Sequence, residues 1–322
     1  MIKKIGILTS GGDAPGMNPA IRSVVRTGLS YGLEVYGIHN GYKGLINEEI
    51  VPMDRSSVSD IVNLGGTILK TARLPEFKNL EVQKKAVEIL RKRGIEALVV
   101  IGGDGSYRGA LDLTKLGINC IGLPGTIDND IASTDFTIGF DTALNTIIDA
   151  VDKIRDTTES HSRCSIIEVM GNHCGDLALY SGIAEGAEII ITPDFRMSNE
   201  EVFSALRKMR EKDSNKRAIM IVSEKIYPDV HEFAKEIEAN TGFNTRATVL
   251  GYIQRGGAPS ANDRVLAGRM GSYAVDLLVN GKGGRCVGIR GINLVDYDIN
   301  EALKMERNPH KNMIELIKKT NK

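Results

Sequence analysis

No long charged run, low-complexity stretch or extended apolar segment interrupts the 322 residues, and hydrophobic and charged contents of 42% and 25% are those of a folded globular chain. Disorder and a membrane-spanning helix are both excluded as organising themes. An excess of one charge is missing too. The 41 basic residues balance 41 acidic ones, which removes the global electrostatic case for nucleic acid or an anionic membrane as partner. Any anion site must therefore be local. The opening Met-Ile-Lys-Lys-Ile-Gly-Ile-Leu-Thr meets glycine too soon for a signal segment, so the expected location is the cytoplasm. Neither a helix-turn-helix nor a basic arm points to DNA.

Cysteine is scarce and unpaired. Cys120, Cys164, Cys174 and Cys286 form no CxxC pair, and three of them sit in or beside strand-like apolar segments, as reduced core thiols do. The five histidines show neither HExxH spacing nor a cluster with the cysteines, so a structural zinc site is not expected. A GxGxxG dinucleotide fingerprint is absent. Gly11 to Gly16 has the outer spacing of a P-loop but is followed by Met17-Asn18 where Lys-Ser/Thr is required.

What the sequence does hold is a recurrence of short apolar runs: 5–9, 35–38, 97–101, 120–123, 165–169, 188–191, 218–222, 245–250 and 286–289. Longer segments of helical period separate them. That alternation marks parallel βαβ units, whose strands are buried on both faces and read as continuous Val, Ile and Leu. The length exceeds that of one compact domain, so the expected architecture is two Rossmann-like three-layer α/β/α domains with largely parallel sheets.

In such sheets ligands bind beyond the carboxyl ends of the strands. Three loops there are glycine-rich: Ser10-Gly11-Gly12-Asp13, Gly102-Gly103-Asp104-Gly105-Ser106 and Pro124-Gly125-Thr126. Glycine brings backbone amides close to a ligand, and a following helix amino terminus favours an anion, so a phosphate-rich ligand is the leading expectation. Asp104, unshielded between two glycines, suits a Mg²⁺ bridged to nucleotide phosphate, although an Asp capping the next helix would carry the same letters. In Thr126-Ile127-Asp128-Asn129-Asp130 the two aspartates, two apart in an extended stretch, would point to one side. Phosphoryl transfer to an alcohol needs such a carboxylate to take the hydroxyl proton, and an Asx turn would look alike. Arg73, Arg163, Arg246 and Arg255 are candidate anion grips. Arg22 and Arg26 share one helix face, as a second anion site or as a plain basic stripe.

Taken together, ILTSGGDAPGMN, GGT with TAR, VVIGGDGSYRGA, IGLPGTIDNDI, TIGFDTA, EVMG with CGDLAL, NTG with TRATVLG, and IQRGG resemble the bacterial-type phosphofructokinase family over nearly the whole chain. GGDG alone recurs in kinases of NAD and lipids, but the ordered set is specific. The resemblance implies that Gly12, Arg73, Leu74, Gly103, Asp104, Gly105 and Ser106 hold ATP, with Asp104 serving Mg²⁺. It makes Asp128 the proton acceptor, with Thr126 and Asp130 beside it. Met170, Gly171, Asn172, Glu224, Tyr252 and Arg255 would meet fructose 6-phosphate, with Arg163 and Arg246 reaching it from a neighbouring subunit of a homotetramer. Arg22, Arg26, Arg55, Asp60, Arg155, Gly186, Glu188, Lys216 and Arg217 would bind ADP as activator and phosphoenolpyruvate as inhibitor. The implied domains are 1–138 plus 256–304 for the nucleotide and 139–255 plus 305–322 for the sugar phosphate.

Pyrophosphate users of the family tend to have Asp where this chain has Gly105 and Lys where it has Gly125, so the resemblance favours ATP. Two positions depart from the family pattern: Asn172 stands where MGR is usual and Tyr252 where GHIQRGG is usual. Loss of a charge-assisted hydrogen bond at 172, about 1.5–3 kcal/mol, implies weaker sugar-phosphate binding or slower turnover. A pyrophosphate-dependent or other sugar-phosphate kinase of the family, and a catalytically weak sugar-phosphate sensor, are the competing readings.

Overall fold

The structure, a computed structural model, describes residues 2–212 and 217–320. Its strands are β1 (Lys4–Ser10), β2 (Glu34–Ile38), β3 (Ile50–Met53), β4 (Ala97–Gly102), β5 (Asn119–Pro124), β6 (Cys164–Val169), β7 (Ile189–Ile191), β8 (Ala218–Ser223), β9 (Thr245–Val249), β10 (Arg285–Arg290) and β11 (Asn293–Asp298). The chain divides into two compact units. The first comprises Met1–Ile127, Ile131–Thr142 and Arg255–Arg307, and the second Asp128–Asp130, Ala143–Gln254 and Asn308–Lys322.

The first unit carries a seven-stranded sheet in the order β11-β10-β5-β4-β1-β2-β3. Its five central strands run parallel, and the edges β3 and β11 are antiparallel. β4 is buried at every position, as a strand covered on both faces must be. On one face the helices 41–46, 80–92 and 104–115 pack Tyr42, Leu45, Leu90, Tyr107 and Leu113 onto Leu8, Leu98 and Val100. On the other lie Met17–Ser30 and Ala261–Val279, close enough that Ser23 Oγ donates to the Gly268 carbonyl at 2.6 Å.

The second unit has a four-stranded, wholly parallel sheet in the order β7-β8-β6-β9. Helices 199–212 and 230–241 cover one face, burying Phe203, Leu206, Phe233 and Ile237 against Ile166, Met220 and Val222. Helix Asp176–Ala184 lies on the other face against β7 and β8. Among the described residues no helix is long and apolar enough to cross a membrane.

The apolar runs thus mark nine of these strands, within a residue or two of their ends. The other two have physical reasons to escape. β11, Asn-Leu-Val-Asp-Tyr-Asp, is a half-buried edge, and β3 carries Pro52, which an edge tolerates because one side of the ladder is unpaired. All four cysteines are buried thiols outside any disulfide. Burial pushes the thiols of Cys120 and Cys164 up to about 12 and that of Cys286 to about 11.

Candidate active site

The first unit gathers its candidate residues at the carboxyl ends of β1, β4 and β5. Gly11, at φ 89°, lets the loop after β1 turn back, and its carbonyl accepts from Thr71 Oγ1 at 2.8 Å. Ser106 is 3% exposed, and its Oγ donates to the Ser10 carbonyl at 3.0 Å. It braces two phosphate-type loops against each other. Asp104 opens the helix Asp104–Lys115 one place after the cap position. Its half-exposed carboxylate pairs with Arg108, one turn on, at 2.8 Å. Arg73 is exposed, and Leu74 leans on the core of this unit.

The two glycines that bear on donor choice differ. A Cβ on Gly105 would enter open space, whereas one on Gly125 would lie 2.7 Å from Ile101 Cγ2 and 3.2 Å from Met17 Cε. Gly125 is thus closely packed, and only Gly105 leaves open room beside its loop. Gly12 is pressed against the Arg255 guanidinium, where a Cβ would come within 2.8 Å of Nη1. Thr126 is held through its backbone: its N–H donates to Ile138 O at 3.1 Å and its carbonyl accepts from Thr137 Oγ1 at 2.6 Å. Behind it Asp263, 1% exposed, accepts from Gly139 N at 2.8 Å, Thr142 N at 2.8 Å and Thr142 Oγ1 at 2.5 Å. Burial pushes its carboxyl up to about 6 despite those donors. No motif flagged Asp263; a lone Asp just inside a helix start reads as an ordinary first-turn acid.

Asp128, Asn129 and Asp130 belong to the second unit. The chain is not extended here: Asn129 sits in the left-handed region at φ 53°, so the same-side argument for the two aspartates does not apply. A turn presents them instead, and Asn is among the few side chains that tolerate that backbone.

The sugar-side candidates lie at the carboxyl ends of β6 and β8. Gly171 takes φ 137°, and a Cβ there would strike the Cys174 carbonyl at 2.4 Å, so glycine is obligatory. The Met170 N–H donates to Gln254 Oε1 at 3.1 Å. Glu224 Oε1 accepts from the Asn172 N–H at 2.7 Å, and Lys225 Nζ donates to Asn172 Oδ1 at 2.5 Å. Both Asn172 and Lys225 are left-handed, at φ 57° and 65°. A cation at 225 thus stands against position 172, which the motif letters do not show. A cleft of about 580 Å³ opens beside them, lined by Glu168, Glu224, Lys225, Asp229, His231 and Val249. Burial, then the nearby Glu224 charge, raises the Glu168 carboxyl above its ordinary range. Tyr252 is 80% exposed.

Arg163 and Arg246 lie elsewhere. Arg163 precedes β6, and Arg246 stands on β9 opposite Ser165. The seven residues from Arg163 to Met170 span roughly 20 Å of strand, so neither arginine shares the carboxyl-end crevice of its own unit. Arg246 pairs instead with Glu238 at 3.4 Å.

Comparison with protein-family profiles matches "Phosphofructokinase" over residues 4–278. The chain belongs to the phosphofructokinase family. It is 60% identical over 309 residues to the ATP-dependent 6-phosphofructokinase of Vibrio cholerae, covering 96% of each chain. Identity to the protein of that name from Aliivibrio fischeri strain MJ11 is 59% over 311 residues, 97% of each. Among solved structures, Pichia pastoris phosphofructokinase superposes with a TM-score of 0.88 at 36% identity, over 100% of this chain and 37% of that one.

The remaining family positions fall in both units. Arg22 and Arg26 are half-buried on helix Met17–Ser30, while Arg55 and Asp60 are exposed after β3. In the second unit Arg155 binds Glu185 at 2.7 Å, next to Gly186. Glu188 accepts from Ile219 N at 2.7 Å and lies 3.9 Å from Arg217, which also pairs with Glu159. Lys216 lies outside the described residues.

Proposed function

We propose that this chain transfers the γ-phosphoryl group of ATP to the 1-hydroxyl of fructose 6-phosphate, giving fructose 1,6-bisphosphate. The observation that carries the reading is the near-full-length identity of about 60% to proteins named ATP-dependent 6-phosphofructokinase. In this reading the first unit holds the nucleotide, its phosphates lying over the loops at Gly12 and Gly103–Ser106 and the amino terminus of helix Asp104–Lys115. Asp128 takes the proton of the attacking hydroxyl, Thr126 and Asp130 flank it, and Glu224, Met170 and Arg255 orient the sugar phosphate. Positioning and charge neutralisation supply most of the rate in such transfers, and a placed general base contributes about 10²–10⁴-fold.

Kinases of this family use a divalent metal, and we assign Mg²⁺ to Asp104. Among the described residues no cluster of three or more His, Cys, Asp or Glu side chains can hold a metal ion. One exposed carboxylate fits Mg²⁺, which keeps waters and takes its other ligands from substrate phosphates. When bound, it neutralises charge on the transferring group. The distance of Arg163 and Arg246 from Met170 supports their service to a neighbouring subunit, and hence a homotetramer. The ion-paired Arg155, Glu188 and Arg217, with Gly186, Arg22, Arg26, Arg55, Asp60 and Lys216, are the proposed site for ADP and phosphoenolpyruvate. The cytoplasm is the proposed location.

A coupled assay with fructose 6-phosphate and Mg²⁺, offering ATP or pyrophosphate, tests the reading. Turnover with ATP alone is expected. Pyrophosphate-dependent turnover would overturn the donor assignment, and silence with both would favour a sugar-phosphate sensor. Asp128→Ala should cut kcat about 10²–10⁴-fold; a sensor would bind the sugar phosphate as before and have no rate to lose.

A further inference from the structure

The turn that carries Asp128 and Asp130 is held by side chains to which the motifs above assign no role. Asn129, 5% exposed, donates from Nδ2 to Asp176 Oδ2 at 2.8 Å. Its carbonyl accepts from Cys174 Sγ at 3.6 Å. Both the side chain and the backbone oxygen between the two aspartates are thus tied to the segment that opens helix Asp176–Ala184. Asp176 is itself 2% exposed. Its place in the first turn of a helix puts the carboxylate where the helix dipole favours negative charge, and buried polar partners complete its surroundings.

The same Oδ2 atom lies 3.3 Å from His310 Nε2. Edge-on contact of the imidazole with Tyr180, at 5.7 Å between centroids and 88° between planes, fixes its orientation. Tyr180 is four residues after Asp176 and so shares its helix face. His310 stands at φ 51° just before helix Lys311–Thr320, its N–H donating to Asn308 Oδ1 at 3.1 Å and its carbonyl accepting from Met313 N at 2.9 Å. The ring is therefore delivered by a fixed turn onto a carboxylate that already grips the 128–130 segment.

We propose that Asp176 is a positioning residue for the Asp128–Asp130 turn, and that His310 clamps it, so that the segment after residue 307 latches the turn. Asn129 takes a left-handed backbone, which Asn tolerates, and its tie to Asp176 determines how the turn is held. Release of Oδ2 from either side removes that determination. The catalytic meaning of the latch rests on the function proposed above; the latch itself does not.

The test pairs steady-state kinetics with hydrogen exchange of the peptide spanning 126–131, in full-length Asp176→Ala, Asp176→Asn and His310→Gln. For Asp176→Ala, exchange at the turn should rise at least about tenfold and kcat should fall about 30-fold, the order expected when a reacting group is misplaced. KM for ATP should stay within about twofold, because the proposed nucleotide residues do not touch this network. Asp176→Asn keeps an oxygen that accepts from Asn129, so it should lose only about threefold in kcat, as should His310→Gln. If Asp176→Ala does not fold, the two conservative variants carry the same comparison. Wild-type exchange at the turn in every folded variant overturns the latch, as does a fall in melting temperature with kcat intact. A wild-type protein without phosphofructokinase turnover would sink the functional reading alone, and exchange at 126–131 would still decide whether the latch exists.

Discussion

The two units build their candidate residues from different materials. In the first, the candidate loops are mostly backbone: glycines stand after β1 and β4, while Ser106, Thr71 and Asp263 serve as braces. In the second, the corresponding surface is side chains that satisfy one another, with Glu224, Asn172 and Lys225 joined through hydrogen bonds. A backbone site is fixed by where glycine stands and leaves its mark in the letters. A side-chain site can set a cation from position 225 against position 172 where the motif letters alone show none.

Substitutions at three sites, the last paired with a second change, test that contrast. Gly105 points into open space, so Gly105→Asp should fold like the parent while setting a carboxylate against the nucleotide. KM for ATP should rise about 30-fold, or about 2 kcal/mol of like-charge repulsion, with KM for fructose 6-phosphate unmoved. Initial-rate kinetics and a melting curve decide it, and an unchanged KM for ATP would mean that this loop does not face the donor.

Asp263 probes the bracing. Its folded-state carboxyl stands at about 6, above the ordinary value of 3.8, so the folded protein holds the proton more tightly than the unfolded chain does. Stability from this group is therefore present at low pH and lost as pH rises towards and through about 6. Between about pH 5 and 7 the loss is about 1.3 kcal/mol. Urea unfolding of the parent and of Asp263→Asn at both pH values should show their stability difference shifting by that amount, the parent relatively favoured in acid. A pH-independent difference would place the Asp263 carboxyl in the ordinary range.

Lys225 probes the cation set against position 172. It is exposed, so its contribution is discounted to about 1 kcal/mol, and Lys225→Met should raise KM for fructose 6-phosphate about fivefold. Adding Asn172→Arg should recover most of that loss in the Lys225→Met background and little in the parent. Equal gains in both backgrounds would show the two positions to be independent.

Much of the fold was legible because parallel strands buried on both faces, such as Ala97–Gly102 and Ala218–Ser223, read as unbroken apolar runs. The antiparallel edges escaped because β11 is half-covered and β3 holds a proline. At the site, Gly11 and Gly171 were legible because local backbone geometry demands them. The roles of Asp176, which stands unassigned in CGDLAL, and of His310, Lys225 and Asp263 were not. Each acts through a partner remote in sequence or adjacent only in space, and a single Asp or Lys in a helix or loop has the same letters whether it grips a catalytic turn or faces water.

The latch also has a place in time. Asp176 and His310 are 134 residues apart, and a ribosome adding roughly 5–20 residues per second leaves the first waiting for the second for roughly 7–27 s. For that interval a nascent chain already carries both aspartates of the turn but not the ring at 3.3 Å from Asp176, so on the proposed reading the turn would be latched only after its own residues have emerged.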